Sequence, residues 1–278
     1  MNANLKRGLI GDNIARSRAP VLHRLAGGQN GMVVQYDRLV PHDMGEDFDT
    51  VFERCVGRGY RGINVTYPYK EVAAQKVAIP DPLVQAIGAV NTVLFEADGP
   101  VGHNTDYSGF IEGYRGVRGD KAPGICCLIG TGGVGRALAF GLVALGASEI
   151  RLVDRDRAKA EALADDLRAA GATVRVFDDA EEAAQGASGL LNGTPVGMVG
   201  YGGTPLAAQA MTGAAWAFDA VYTPVDTQFL KDAEAVGLDI ISGYELFFYQ
   251  GVHAWAHFAG KPLDQAALRR SLAEEAET

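Results

Sequence analysis

The run from Cys126 to Gly135, Cys-Cys-Leu-Ile-Gly-Thr-Gly-Gly-Val-Gly, constrains the fold of this chain more than any other stretch. Its apolar start reads as a buried strand, and the glycines read as a turn into a helix. Gly130, Gly132 and Gly135 fit G-x-G-x-x-G. In that pattern the first glycine makes a tight turn, the second lets backbone approach a pyrophosphate, and the third lets helix pack on strand. The helix N-terminus then turns free N–H groups and a positive dipole end toward phosphates. Gly130, Thr131, Gly132, Gly133, Val134 and Gly135 are therefore the expected dinucleotide cradle. A periodic helix (Arg136 to Leu145) and a second strand (Glu149 to Val153) follow, and that strand ends at Asp154, 24 residues beyond Gly130. An acid there accepts hydrogen bonds from an adenosine ribose. The competing reading is a glycine-rich turn in an ordinary α/β domain.

At 278 residues the chain exceeds the usual domain size, which argues for two domains. A hydrophobic fraction of 47% supports real cores. The net charge of −9 argues against nucleic acid or an anionic membrane as partner, since both select basic surfaces. It leaves a small anionic substrate open. Cys55, Cys126 and Cys127 show neither a paired framework nor metal-ligand spacing, so no metal is expected. A polar start and the lack of an apolar run of membrane length give a cytoplasmic protein as the expectation, as monomer or homodimer.

Strands are expected at Leu5–Ile10, Val33–Val40, Gly62–Val65 and Val90–Phe95, with helices at Pro20–Gln29, Asp47–Arg58 and Pro68–Val77, the last with proline at its first position. This alternation is the mark of a parallel α/β sheet. A second alternating unit runs from Ile125 to about Ile241, with strands near Thr173–Phe177, Gly189–Leu191 and Ala217–Val221. Glu112–Gly124, rich in glycine, is the expected crossing between domains, and two helices close the chain near Tyr244–Ala259 and Leu263–Glu275.

The first half carries polar clusters that a plain scaffold does not need. Thr66-Tyr-Pro-Tyr-Lys70 places a lysine in the first turn of a helix, where the dipole disfavours a cation. That suits proton transfer, although a lone lysine is usually just a surface residue. Asn91-Thr92 ends an apolar approach, and His103-Asn-Thr-Asp106 forms another cluster before a helix. Asp106 could equally be a helix cap.

Taken together, Gly62-Ile-Asn-Val-Thr-Tyr-Pro-Tyr-Lys70, Gly88-Ala-Val-Asn-Thr92, Asn104-Thr-Asp106 and the glycine loop closely resemble the shikimate dehydrogenase family, including its quinate/shikimate branch. Ser17-Arg-Ala-Pro20, Asn192-Gly-Thr-Pro-Val-Gly197, Asp219-Ala-Val-Tyr222 and Gln250 extend the resemblance over nearly the whole chain. The resemblance implies an α/β substrate domain from residues 1–105 and 241–278, around a Rossmann-type dinucleotide-binding domain at 106–240. It implies Lys70 and Asp106 as the catalytic pair. Ser17, Thr66 and Tyr222 would hold the substrate carboxylate end, Asn91 and Gln250 its hydroxyls, and Thr194 would join the cofactor residues. The reaction implied moves hydride between a nicotinamide and the ring hydroxyl or carbonyl of shikimate or quinate. A non-catalytic regulator that binds the cyclitol and nucleotide is the reading of a different class, and the retained Lys70 and Asp106 argue against it.

Two departures from the family pattern matter. The family usually has Ser-Lys-Ser-Pro where this chain has Ser17-Arg18-Ala19-Pro20, and Ala19 cannot donate the second serine's hydrogen bond. That costs ~1.5–3 kcal/mol of substrate binding if nothing compensates. It leans toward the quinate/shikimate branch, which tolerates change there. NADP-specific members carry Asn-Arg-Thr after the second strand, whereas this chain has Asp154-Arg155-Asp156-Arg157. A carboxylate repels a 2′-phosphate and favours NAD. Arg155 and Arg157 leave a route to NADP, as in an NADP-dependent biosynthetic shikimate or aminoshikimate dehydrogenase.

Overall fold

The computed structural model describes residues 4–275. The described residues fold into two compact units, 4–105 with 250–275, and 106–249.

The first unit begins with β1 (Asn4–Ile10), α1 (Ala19–Gln29), β2 (Val33–Leu39), the short α2 (Pro41–Met44), α3 (Phe48–Gly57) and β3 (Gly62–Val65). It continues with α4 (Lys70–Ala74), α5 (Pro82–Ile87), β4 (Thr92–Glu96) and β5 (Gly99–His103). The sheet order is β2-β1-β3-β4-β5. Its first three strands are parallel, whereas β4 runs antiparallel to both β3 and β5. The expectation of a wholly parallel sheet therefore fails at this edge. The helix expected over Pro68–Val77 also shrinks to Lys70–Ala74 and does not start at Pro68, whose peptide bond with Tyr67 is cis. Ala78 explains the early stop, because it exchanges backbone bonds with Pro100 and Gly102 of β5. Ile10, Phe52, Ile63, Val65 and Val93 fill the core beneath α3.

That unit also buries a cation. Arg7 of β1 is fully buried, and none of its guanidinium nitrogens has a hydrogen-bond partner. Its Cζ lies 4.6 Å from the Phe258 ring centroid, 5.0 Å from Trp255 and 5.9 Å from Tyr36. Burial lowers its pKa to about 10. Ring faces stabilise the charge through their quadrupoles in place of donor–acceptor pairs. His23 stacks on Tyr36 at 5.1 Å, and burial followed by the charge of Arg7 keeps it neutral.

The second unit opens on α6 (Thr105–Arg118), which the boundary enters at its second residue, and continues with β6 (Ile125–Ile129), α7 (Gly133–Ala144), β7 (Glu149–Val153) and α8 (Arg157–Ala169). Then come β8 (Val174–Phe177), α9 (Ala180–Ala184), β9 (Gly189–Asn192), β10 (Trp216–Asp219), α10 (Gln228–Ala235) and β11 (Asp239–Ile241). The sheet order is β11-β10-β9-β6-β7-β8, all parallel, which is the doubly wound Rossmann order. Most of Glu112–Gly124 is not a loop but the end of α6. Its glycines allow close approach, since a Cβ at Gly113 would sit 3.2 Å from Glu245 Cβ. The chain re-enters the first unit at Gln250, inside the continuous α11 (Gly243–Ala259), rather than at residue 241 as the sequence suggests. The last helix, α12 (Gln265–Glu274), starts on an Asp264 cap. Among the described residues no helix is long and apolar enough to cross a membrane.

Candidate functional site

The candidate residues fall into two groups, one in each unit. In the second unit, the glycine loop follows β6, at the switch point where β7 and β9 flank that strand on opposite sides. Gly130 has φ +97°, a left-handed conformation that makes the turn. A Cβ at Gly135 would lie 2.0 Å from the Gly130 carbonyl oxygen, so only hydrogen fits between helix and turn. Gly132 occupies the cap position of α7, Gly133 begins the helix and Val134 follows. No side chain caps this helix and no acid stands in its first turn, which leaves its N–H groups facing outward for an anion. The backbone thus fits a pyrophosphate.

Asp154 follows the last residue of β7. Its Oδ2 accepts from the Thr131 amide at 2.7 Å and the Thr131 hydroxyl at 2.8 Å, and Oδ1 accepts from the Asp156 amide at 2.9 Å. Burial alone would raise its pKa, but the bonds from Asp156 and Thr131 outweigh it and hold the carboxyl below its ordinary value. Asp156 caps α8, and the Arg157 guanidinium is engaged by Asp178 and Glu161. Arg155 is exposed.

Thr194 sits in a braced turn after β9. Its amide and hydroxyl donate to Asn192 Oδ1 at 3.0 and 2.6 Å. Asn192 Nδ2 in turn donates to Asp219 Oδ1, which also takes the Val221 amide, while Thr227 donates to Asp219 Oδ2 at 2.6 Å. Burial pushes Asp219 up to about 6 against those three bonds. Sequence reasoning finds both motifs but gives Asn192, Asp219 and Thr227 no role. The signal is available: polar residues ending apolar strands are buried and need partners. Tyr222 stacks on Phe247 with centroids 4.8 Å apart.

In the first unit, which ends at Thr105 and leaves Asp106 to the second, the loops after β1 and β3 lie close together. A Cβ at Gly11 would be 2.3 Å from Thr66 Cγ2, and Thr66 N–H donates to Ile10. Lys70 is the first residue of α4, half-buried, and its carbonyl accepts from Val90 N–H at 2.9 Å, one residue before Asn91. Asn91 is buried within a network of neutral groups. Its Oδ1 accepts the Thr105 amide at 2.8 Å, its Nδ2 donates to the Thr105 hydroxyl at 2.9 Å, and Thr92 joins both. Asn64 links Thr92 to the Tyr36 hydroxyl. Sequence reasoning quotes Asn64 and Thr105 within its motifs but gives them no role, and it passes over Tyr36. Ser17 Oγ accepts the Ala19 amide at 3.3 Å, and the Ala19 methyl is buried at the start of α1. Gln250 lies mid-helix in α11. Asp106 is buried as the second residue of α6, which rules out the cap position considered for it. The three cysteines are buried thiols, with Cys55 and Cys127 pushed up to about 12 by burial, and so are poor nucleophiles.

Residues 9–93 match the family model described as the shikimate dehydrogenase substrate binding domain, and residues 125–198 match one described as NADP oxidoreductase coenzyme F420-dependent. The chain is 35% identical to a quinate/shikimate dehydrogenase (NAD(+)) of Corynebacterium efficiens, covering 94% of this chain and 95% of that one. It is 37% identical to a shikimate dehydrogenase (NADP(+)) of Natronomonas pharaonis, over 95% and 98%. Quinate dehydrogenase from Corynebacterium glutamicum, solved in complex with NAD, superposes with a TM-score of 0.88 at 32% identity, covering 98% of this chain and all of that one. A chain with this doubly wound nucleotide unit, these ordered motifs and relatives aligned along nearly its full length belongs to the shikimate dehydrogenase family.

Proposed function

We propose that this chain is an NAD-dependent oxidoreductase that moves hydride between the cofactor and the ring hydroxyl or carbonyl of shikimate or quinate, with 3-dehydroshikimate or 3-dehydroquinate as the ketone partner. The first unit is the substrate-binding catalytic domain in this reading, and the second binds the dinucleotide. The observation that carries it is Asp154, a charged carboxylate tied to the glycine loop at the end of β7. There it accepts ribose hydroxyls and repels a 2′-phosphate. Bound NAD supplies the hydride acceptor, and the chain supplies position and proton transfer. Lys70 takes the proton of the reacting hydroxyl during oxidation and returns it during reduction. Asp106 orients Lys70 and contacts the same hydroxyl. Asn91, with its orientation fixed by Thr105, holds ring hydroxyls together with Gln250. Ser17, Thr66 and Tyr222 hold the carboxylate end, where Ala19 contributes no donor.

Initial rates with shikimate and quinate, each against NAD and NADP, test the assignment. The expected result is a higher kcat/KM with NAD. A preference for NADP would give the adenine edge to Arg155 and return the enzyme to the biosynthetic branch. No turnover of either cyclitol with either cofactor would favour the regulator.

A further inference from the structure

Thr131 occupies the second position of the glycine loop, where the fingerprint demands no particular side chain. It is fully buried, and both its amide and its hydroxyl go to one oxygen, Oδ2 of Asp154. A carboxylate oxygen offers about two acceptor positions. Thr131 therefore fills Oδ2, while Oδ1 takes only the Asp156 amide and keeps one acceptor position. Rotation of the carboxylate would break bonds to both Thr131 and Asp156, and protonation would require giving up charge-assisted bonds.

Building on the NAD reading above, we propose that the Thr131 hydroxyl is a specificity-determining positioning group. It holds the Asp154 carboxylate ionised and fixed, with Oδ1 turned to the ribose. In this arrangement a 2′-hydroxyl finds a ready acceptor, and a 2′-phosphate meets a negative charge that can neither swing aside nor take up a proton. Without the hydroxyl, Oδ2 keeps the loop amide alone and the carboxylate gains freedom to turn. Arg157 is already engaged by Asp178 and Glu161, so it offers a 2′-phosphate little compensation.

The test is calorimetric titration of the substrate-free enzyme with NAD and with NADP, alongside steady-state kinetics. Thr131→Val removes the hydroxyl and keeps the amide and branched shape. Its expected effect is a fall of about tenfold in the preference for NAD over NADP, the equivalent of one hydrogen bond to a charged group. The loss should fall on Kd and KM for NAD more than on kcat. Thr131→Ser should restore the preference to within about threefold of wild type, an estimate resting on retention of the same bond. In an Asp154→Asn background, Thr131→Val should change the ratio no further. Thr131→Ala serves if the valine variant does not fold. An unchanged NAD:NADP ratio, equal weakening of both cofactors, or a further ratio change in the Asp154→Asn background would overturn the proposal. A wild-type preference for NADP would instead defeat the NAD assignment, and it shows in the wild-type titrations before any variant is made.

Discussion

The two units bury charge in opposite ways. The first encloses a cation, Arg7, among aromatic rings with no hydrogen-bond partner, and builds its site around Asn91 from uncharged amides and hydroxyls. The second holds anions through hydrogen bonds, and the half-buried Asp154 and the buried Asp219 each accept three. The difference follows the ligands proposed for each. A polyol ring is read by neutral groups that donate and accept, whereas telling a ribose hydroxyl from a phosphate needs a fixed charge. The two units should therefore respond differently to mutation and to pH.

The largest effect expected is from Lys70→Ala, with kcat lowered by ~10²–10⁴-fold as for loss of a general acid–base. Calorimetry should find NAD affinity within about twofold of wild type, because Lys70 lies outside the nucleotide unit. A parallel loss of NAD binding would break the division between the units. Asp106→Asn should lower kcat by about 10²-fold with little change in melting temperature. A fully active variant would reduce Asp106 to a structural residue.

Asp219 supplies the pH test. Its folded pKa, raised to about 6 from the ordinary 3.8, means that the folded state holds the proton more tightly than the unfolded state. Its contribution to stability is fully present below about pH 4 and is lost as pH rises through 6. Asp219→Asn should therefore gain on wild type between pH 4 and 7, by at most about 3 kcal/mol in denaturant unfolding. A constant offset across that range would contradict the burial argument. Asn91→Ala should cost about 1–3 kcal/mol by removing its bonds to the Thr105 amide and hydroxyl from a buried network, with no pH dependence over the same range. The smallest effect expected is from Arg7→Met, a gain of about 1 kcal/mol, since apolar replacement of an unpartnered buried charge is often stabilising. A drop in melting temperature would show that the ring faces more than offset desolvation.

The nucleotide unit is the more legible of the two in sequence. Its parallel strands are buried on both faces and read as apolar runs, and the glycine loop announces the turn. The edge of the first sheet is not legible, because β5 (Gly99–His103) carries two glycines and a proline and is held by its ladder to β4 and by backbone bonds to Ala78. The Asp98-Gly99 pair, a hairpin signal, is the available hint. Glu112–Gly124 misleads because Gly113 and Gly116 look like loop residues, although Gly113 serves a close approach of α6 to Glu245. The candidate residues themselves are readable as ordered motifs. Their partners are not, since Thr105, Asn64 and Thr227 come from distant positions that only the fold brings together.

A single uninterrupted helix, α11, begins in one unit and ends in the other. Neither unit can therefore be excised as an intact fragment, because any cut at residue 249 leaves two helical stubs, each shorter than the roughly 12–15 residues that sustain a helix alone in water. Attempts to transplant this nucleotide unit onto another scaffold, or to express it separately, must carry the whole of Gly243–Ala259 or supply a substitute for its missing half.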